Sequence, residues 1–259
     1  QAMNALPEPG TTQDQEIREG AQMRSARWAL DDRDATESMR RLGDLPQGAG
    51  RRTIALRIKL KAARLAGNTQ VALDTARLLA KHRAFSPAAS ASVVRGLLLA
   101  SIRDARDTSS LQQFWLSLDE DERAMPEVAI PATERLVALG GEATQARAWL
   151  LPVWEHLLTQ PGPRTETHLP KLVEVLQSCL GKLDGAWLAR MEAAANANPR
   201  EPRLQYLAGM ACVQRELWGK AQQLLTRAAP LLQAAQLRTR AWQRLALMAE
   251  HRGDMEASA

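Results

Sequence analysis

The chain has 259 residues, enough for one large or two ordinary domains with a hydrophobic core. Ala, Leu, Arg, Gln and Glu dominate and β-branched residues are sparse, which predicts an all-α protein. The net charge of +5 permits an acidic partner or a membrane surface, but there is no arginine-rich tail or nucleic-acid-binding motif, so we expect no nucleic-acid partner. Cys179 and Cys212 have no metal-binding spacing and are expected as free thiols on packed helices.

Turn-forming residues divide the chain into about thirteen short helices. The segment RRTIALRIKLKAARLAGN is amphipathic and ends at Gly67-Asn68, and Gly140-Gly141 ends a later helix in the same way. Pro152 is expected to bend the helix that contains it. The predicted helices cover residues 14–30, 35–42, 51–66, 71–82, 90–104, 109–118, 126–139, 142–158, 171–180, 185–196, 204–216, 218–229 and 239–251.

Composition also predicts how these helices are grouped. The Pro- and Gly-containing stretch TQPGPRTETHLP, residues 159–170, is predicted as a flexible joint. It separates a helical-repeat region at 14–158 from C-terminal repeats at 171–259, and residues 1–13 are expected to be a flexible segment. No apolar run reaches the ~18 residues that span a bilayer. Because the chain begins QAMNALPEPG without a signal peptide or initiator methionine, we interpret it as a fragment.

Small residues recur in the last third of the chain at helical-repeat spacing. Gly209, Ala221 and Ala228 are predicted to lie where antiparallel helices cross closely, and counting 34 residues back from Ala228 reaches Ala194. Short helices in regular pairs predict an α-solenoid of helix–turn–helix repeats. The small residues resemble the tetratricopeptide repeat family, with Cys212 in place of the consensus tyrosine.

Longer segments resemble a narrower family. RELWGKAQQLLTRA resembles the L-W-G-K-A signature of the HemY family, tetratricopeptide proteins associated with bacterial haem biosynthesis. FWLSLDEDERAMPEVAIPATERLVALG and AWQRLALMAEHRGD are similar to other segments of that family, in the same order. The resemblance implies two N-terminal membrane helices absent from this chain and a location at the bacterial inner membrane. It also implies a soluble region on the cytoplasmic side and late haem-biosynthesis enzymes as partners.

Residues for catalysis or for metal binding are not grouped in this sequence. The four histidines are scattered, and none has a second His or Cys at i+3 or i+4. No nucleophile-elbow, P-loop or dinucleotide-binding motif is present. We interpret the acidic run at 119–122 as a surface loop that caps the following helix. The sequence therefore predicts a protein that is not an enzyme, with no catalytic residue and no metal site.

A partner-binding face is predicted on the first helix of each C-terminal repeat. It forms an apolar strip with a polar border, suited to a partner helix or an apolar ligand. The alternative is that Tyr206 and Met210 are ordinary core residues. The predicted face comprises Arg203, Tyr206, Met210, Val213 and Gln214, flanked by Leu172 and Leu176 on one side and by Arg240, Gln243 and Leu247 on the other.

A second candidate surface is a basic stripe made by Arg57, Lys61 and Arg64, at helical spacing. It is either a solvated helix face or a docking patch for an acidic partner or anionic lipid headgroups. Ile54, Ile58 and Leu65 are predicted to form a separate stripe that packs inward.

The remaining predictions concern the tryptophans and a possible haem ligand pair. Six tryptophans, all except Trp28, fall in or beside apolar-periodic helices and are expected in the core. No cofactor is predicted, and Met210 with Tyr206 is the only grouping that suggests haem or porphyrin ligation.

These observations predict a non-catalytic scaffold or adaptor for protein partners, organising or regulating late haem-biosynthesis enzymes as the family resemblance implies. Two alternatives remain. One is a general tetratricopeptide adaptor in envelope assembly or secretion, and the other is a haem or porphyrin carrier.

Overall fold

The computed structural model describes residues 12–160 and 162–251, and the chain is helical in these ranges without a β-strand. The prediction of an all-α protein is confirmed. The described residues form fifteen α-helices and one 3₁₀ turn, Ala229–Leu231. The helices are α1 Thr12–Asp31, α2 Ala35–Gly43, α3 Gln47–Gly50, α4 Thr53–Leu65, α5 Thr69–Lys81, α6 Pro87–Asp104, α7 Thr108–Leu116, α8 Glu120–Ala124, α9 Pro126–Ala138, α10 Ala143–Thr159, α11 Pro163–Ser178, α12 Gly185–Ala197, α13 Pro202–Gln214, α14 Trp218–Ala228 and α15 Ala235–His251.

Glycines and capping side chains set helix ends where the sequence predicts them. The Val71 amide donates to the Asn68 side chain at 3.2 Å, which caps the start of α5. Gly67 just before it has a φ of 69°, and Gly140 after α9 has a φ of 79°, a conformation that glycine adopts without strain. The predicted helix ends at Gly67-Asn68 and Gly140-Gly141 are confirmed.

The acidic run at 119–122 starts a helix and is not a loop. The Glu122 amide donates to the Asp119 side chain at 2.7 Å, and the Glu122 carboxylate accepts from the Asp119 amide at 3.2 Å. This reciprocal arrangement is a capping box, and it starts the short helix α8. Asp119 therefore caps α8, a helix that was not predicted from the sequence, and not the helix that begins at Pro126, whose N-cap is Met125. The prediction of a loop over these four residues is wrong.

The chain is also helical over much of the predicted joint. Helix α11 begins at Pro163, which is well suited to a first helical position because its ring fixes φ and it lacks an amide hydrogen. The expectation of a non-helical segment at 159–170 is therefore wrong from Pro163 onward. The described residues divide into two compact units after Asp104, and 159–170 lies within the second. Of the segment 1–13, expected to be flexible, residues 1–11 lie outside the described residues, and Thr12 and Gln13 are helical.

The first unit extends to Asp104, and most of its helices pack on neighbours in the chain. Helix α1 packs on α2, α2 on α4, α4 on α5 and α5 on α6, and α1 also meets α4. Leu56 and Ile58 of α4 and Leu73 and Leu79 of α5 are buried in its core. Ile54 and Leu65 were expected to pack inward with Ile58, but both are exposed, 65% and 48%, so that part of the prediction is wrong.

The second unit begins at Ala105 and has a repeat-like order. Helix α9 contacts α11, α11 contacts α13, and α13 contacts α15, so every second helix lies in one row. Helix α10 packs on α9 and α11, and α14 packs on α13 and α15. We call α9, α11, α13 and α15 the inner row. Because each helix meets only near neighbours, stability within this unit depends on contacts between adjacent helices.

The crossing of α13 and α14 is as close as the small residues predict. A Cβ added at Gly209 would lie 2.8 Å from both Cγ and Cδ2 of Leu225, and 3.3 Å from Cβ of Leu224. Ala221 and Ala228 on α14 are fully buried. The prediction that these helices cross at Gly209 is confirmed, and a side chain at this position would have to displace Leu225.

Arginines link segments that are about one helix pair apart in the chain. Arg57 donates to the Ala84 carbonyl at 2.6 Å, Arg135 to Ala105 at 2.6 Å and Arg215 to Leu183 at 3.1 Å. Arg147 is the buried member of this set, and it donates to the carbonyls of Cys179, Gly181 and Lys182. These bonds satisfy carbonyls in turns between helices and explain part of the high arginine content.

Four of the six tryptophans expected in the core are buried there. Trp115 stacks on Trp149 with ring centroids 4.4 Å apart, and Trp154 meets Trp187 edge-on at 6.0 Å. The other two, Trp218 and Trp242, are about half exposed, so the prediction is wrong for them. A further finding concerns membranes: within 12–160 and 162–251, each helix is too short or too polar to cross a bilayer.

Candidate functional site: a groove on the inner row

Three helices of the inner row form an open groove of about 570 Å³. Its residues come from α11, α13 and α15, which is where the sequence places the partner-binding face. We call it the C-terminal groove. It is lined by Gln177, Met210, Arg240, Gln243, Arg244, Ala246, Leu247 and Glu250.

One face of α15 supplies most of the groove. Positions 240, 243, 244 and 247 follow helical i, i+3, i+4 and i+7 spacing, so these side chains lie side by side. Leu247 is 43% exposed although it is a large apolar residue. With Met210 and Ala246 it gives the groove an apolar centre, which a partner's apolar side chains could cover.

Charge is distributed unevenly around this apolar centre. Arg240 donates to the Gln177 side-chain oxygen at 3.2 Å, and Arg244 lies one helical turn further along α15. Glu250 brings a carboxylate near the carboxyl end of the same helix. The groove therefore has two cations towards one end and an anion towards the other, which favours a ligand in one orientation.

Tyr206 lies next to the groove arginines but is fully buried. Among the described residues its hydroxyl has no hydrogen-bond partner. Burial raises its pKa to about 12, against the opposing charges of Arg240 and Arg244. Tyr206 is thus a core residue beneath the groove.

The structure brings together four of the residues predicted for this face and separates the others. Met210, Arg240, Gln243 and Leu247 line the groove. Arg203 instead forms a two-pronged ion pair with Glu201, at 2.6 and 2.8 Å, at the start of α13. The remaining predicted residues do not line it: Val213 and Gln214 lie further along α13, and Leu172 and Leu176 are fully buried core residues, as is Tyr206.

Sequence reasoning missed Gln177, Arg244, Ala246 and Glu250. Arg244 could have been found, since it lies four residues after Arg240 on the same helical face. Gln177 could not, because its place in the groove depends on its contact with Arg240 of α15, 63 residues further along the chain. That contact is tertiary and has no local signal.

The predicted basic stripe on α4 is exposed, but its members differ. Arg57 is engaged within the chain, because its guanidinium donates to the Ala84 carbonyl and lies 5.1 Å from the Phe85 ring centroid. Arg64 lines a separate groove in the first unit. Lys61 lies between them and is exposed. The stripe is thus not one uniform patch of free cations.

The described residues contain no group of three or more His, Cys, Asp or Glu side chains that could hold a metal ion. Met210 and Tyr206, the grouping considered for haem, lie on successive turns of α13, but only Met210 lines the groove. The pair therefore does not present two ligands to one group in the groove.

Alkaline pH should weaken the fold through two buried groups of α13. Burial, with the adjacent Glu192 carboxylate, raises the pKa of Cys212 to about 11 from an ordinary 9.0. Burial raises the pKa of Tyr206 to about 12 from an ordinary 10.0. The folded state then holds more protons than the unfolded state above about pH 9, so the unfolding free energy decreases as pH rises from there towards 12. Urea unfolding at a series of pH values measures this decrease.

Two variants assign the effect to these residues. Tyr206→Phe and Cys212→Ala should each make the decrease less steep, and Tyr206→Phe should change stability little near neutral pH because the hydroxyl it removes has no partner. If the double variant loses stability with pH as steeply as the parent, other groups are responsible.

No protein-family model matches this chain, and no curated protein matches it significantly.

Proposed function

We propose that the chain is a non-catalytic helical-repeat scaffold that binds protein partners through the C-terminal groove. The observation that carries the proposal is the groove itself, an apolar centre with a charged border formed by three successive helices of the inner row. Helical grooves of this kind suit an amphipathic partner helix. Leu247 is exposed at the centre of this groove. Its exposure favours a macromolecular partner, because a partner that covers a large apolar side chain removes it from water and thereby stabilises the complex.

The repeats are proposed to be of the tetratricopeptide kind and to form an α-solenoid. Support comes from the close crossing at Gly209, the buried Ala221 and Ala228, and the burial of Ala194, 34 residues before Ala228. The alternate-helix contacts of the second unit agree with stacked helix pairs.

The partners are proposed to be late haem-biosynthesis enzymes, gathered at the bacterial inner membrane. This step rests on the resemblance of RELWGKAQQLLTRA and the flanking segments to the HemY family. It is a narrower proposal than the adaptor role, and it can fail while that role stands. A carrier of haem or porphyrin is the less favoured alternative, because Tyr206 does not line the groove.

A pull-down with matched groove variants tests the proposal. Tagged chain should capture haem-pathway enzymes from a lysate of its own cell. Leu247→Glu should abolish capture, because it places a charge at the apolar centre of the interface. Leu231→Glu is the control, since Leu231 is also exposed but does not line the groove.

The outcomes separate the proposals. Capture of unrelated proteins that Leu247→Glu abolishes supports a general adaptor and contradicts the haem assignment. Capture that both variants retain equally places binding elsewhere on the chain. A Soret shift on adding hemin to the parent chain would favour the carrier.

A further inference from the structure

The first unit contains a second groove, of about 530 Å³, formed by the end of α4, the start of α5 and one face of α6. We call it the N-terminal groove. Along α6 it extends from Ser92 to Asp104, which is about 18 Å at 1.5 Å per residue. That length matches about three turns of a second helix laid along it.

The floor of this groove is made of small residues. Gly96 and Ala100 of α6 and Ala72 of α5 line it. Gly96 lies inside a helix, where glycine costs about 1 kcal/mol relative to alanine. At Gly209 such a cost is offset by a helix crossing so close that a Cβ would meet Leu225. At Gly96 an added Cβ would meet nothing within 4 Å, so no other helix of the described residues crosses α6 closely at this position.

The border of the groove is basic. Arg64 and Arg103 both line it, and neither guanidinium group forms a hydrogen bond or ion pair with another described residue. Asp104 supplies one carboxylate. Residues 12–104 contain 17 Lys and Arg against ten Asp and Glu, a net charge of +7, whereas residues 105–251 contain 16 of each and are neutral. The basic excess of the chain therefore lies in the unit that contains this groove.

We propose that the N-terminal groove binds an acidic helical segment of a partner protein, with the helix backbone lying over Gly96 and its carboxylates pairing with Arg64 and Arg103. The small floor lets a helix approach closely, as α14 approaches α13 at Gly209. The charge of the border selects an acidic sequence and speeds its association. This site is separate from the C-terminal groove and does not depend on the function proposed for it.

Substitutions at Gly96 test the floor without disturbing the fold. The probe is a fluorescein-labelled peptide of Ala and Glu, about 12 residues long to match the groove, whose binding to the full chain is followed by anisotropy. Gly96→Leu should fill the groove and weaken binding about tenfold or more. It should melt no lower than the parent, since the added side chain has open space. Gly96→Ala should retain most binding, and Gly20→Leu, at a helical glycine outside the groove, should retain all of it.

A charge reversal tests the border. The double variant Arg64→Glu, Arg103→Glu should abolish binding of the acidic peptide, and Arg24→Glu, an exposed residue of α1, should leave it nearly unchanged. A peptide of Ala and Lys should not bind the parent. The proposal is overturned if Gly96→Leu binds the acidic peptide as tightly as the parent. It is also overturned if inorganic phosphate, added at the same concentration of negative charge as the peptide, displaces the peptide. Binding of phosphatidylglycerol vesicles through Arg64 and Arg103, without binding of the peptide, would overturn it as well.

Discussion

Arg147→Met should lower the unfolding free energy by about 3–5 kcal/mol, the largest loss expected from a single charged residue of this chain. Arg147 is fully buried in α10, and it donates to the carbonyls of Cys179, Gly181 at 2.9 Å and Lys182 at 3.0 Å. Methionine fills similar space but donates no hydrogen bond, so three carbonyls at the end of α11 lose their donor. Urea unfolding followed by circular dichroism measures the change.

Two further variants separate hydrogen bonding from charge. Arg147→Lys keeps the positive charge near the negative end of the α11 dipole but cannot reach three carbonyls with one ammonium, so an intermediate loss is expected. Arg227→Met removes an exposed arginine of α14 and should change stability by less than about 0.5 kcal/mol. If Arg147→Met unfolds at the same urea concentration as Arg227→Met, the buried hydrogen bonds do not stabilise the fold.

Arg147 also shows where sequence reasoning about this chain ends. Its neighbours in the sequence, Ala146 and Ala148, give no sign that it is buried, and its acceptors lie 32 to 35 residues away. Local patterns predicted the helix ends at Gly67-Asn68 and Gly140-Gly141, because the signals that end a helix are short-range. A charged side chain that donates hydrogen bonds from one helix pair to the next has no short-range signal of this kind in the sequence.

The prediction of which helix residues are exposed was also partly wrong. Ile54 and Leu65 have the apolar character of core residues, yet they share the exposed face of α4 with Arg57 and Lys61, because a helix of thirteen residues buries only the side that meets its neighbours. Trp218 was misplaced for the same reason, since it begins α14 at the turn, where little packs against it. The periodicity of apolar residues indicates which residues share one face of a helix. Whether that face is buried depends on which other helices pack against it.

The candidate sites were predictable in part. The sequence placed a binding face on α13 and α15 and named Met210 and Leu247, which line the C-terminal groove. It did not separate Tyr206 from that face, because Tyr206 and Met210 lie one turn apart and only the tertiary structure decides which of them reaches the surface. The N-terminal groove depends on Arg64 and Arg103. These residues belong to different helices, so no local sequence pattern predicts that they lie in one groove.

Gly209→Leu should destabilise the chain by about 3 kcal/mol, because overpacking at a close helix crossing cannot be relieved without moving α13 from α14. An added Cβ alone would lie 2.8 Å from Leu225, so Gly209→Ala also carries a steric cost. Its gain of about 1 kcal/mol in helix propensity opposes a steric cost of similar or greater size. The expected order of melting temperature is parent, then Gly209→Ala, then Gly209→Leu, measured by circular dichroism.

A double-mutant cycle identifies the crossing as the cause. Leu225→Ala alone creates a cavity and should cost about 2–5 kcal/mol. In the Gly209→Ala, Leu225→Ala pair, the new methyl at 209 enters the space that Leu225 leaves, so the double variant should be more stable than the sum of the two single effects by at least about 0.5 kcal/mol. Additive effects would mean that the two residues do not share a contact, and that Gly209 is retained for a reason other than the approach of α14. Coupling of the expected sign would show that the smallest residue of α13 holds its place because the largest buried residue of α14 faces it.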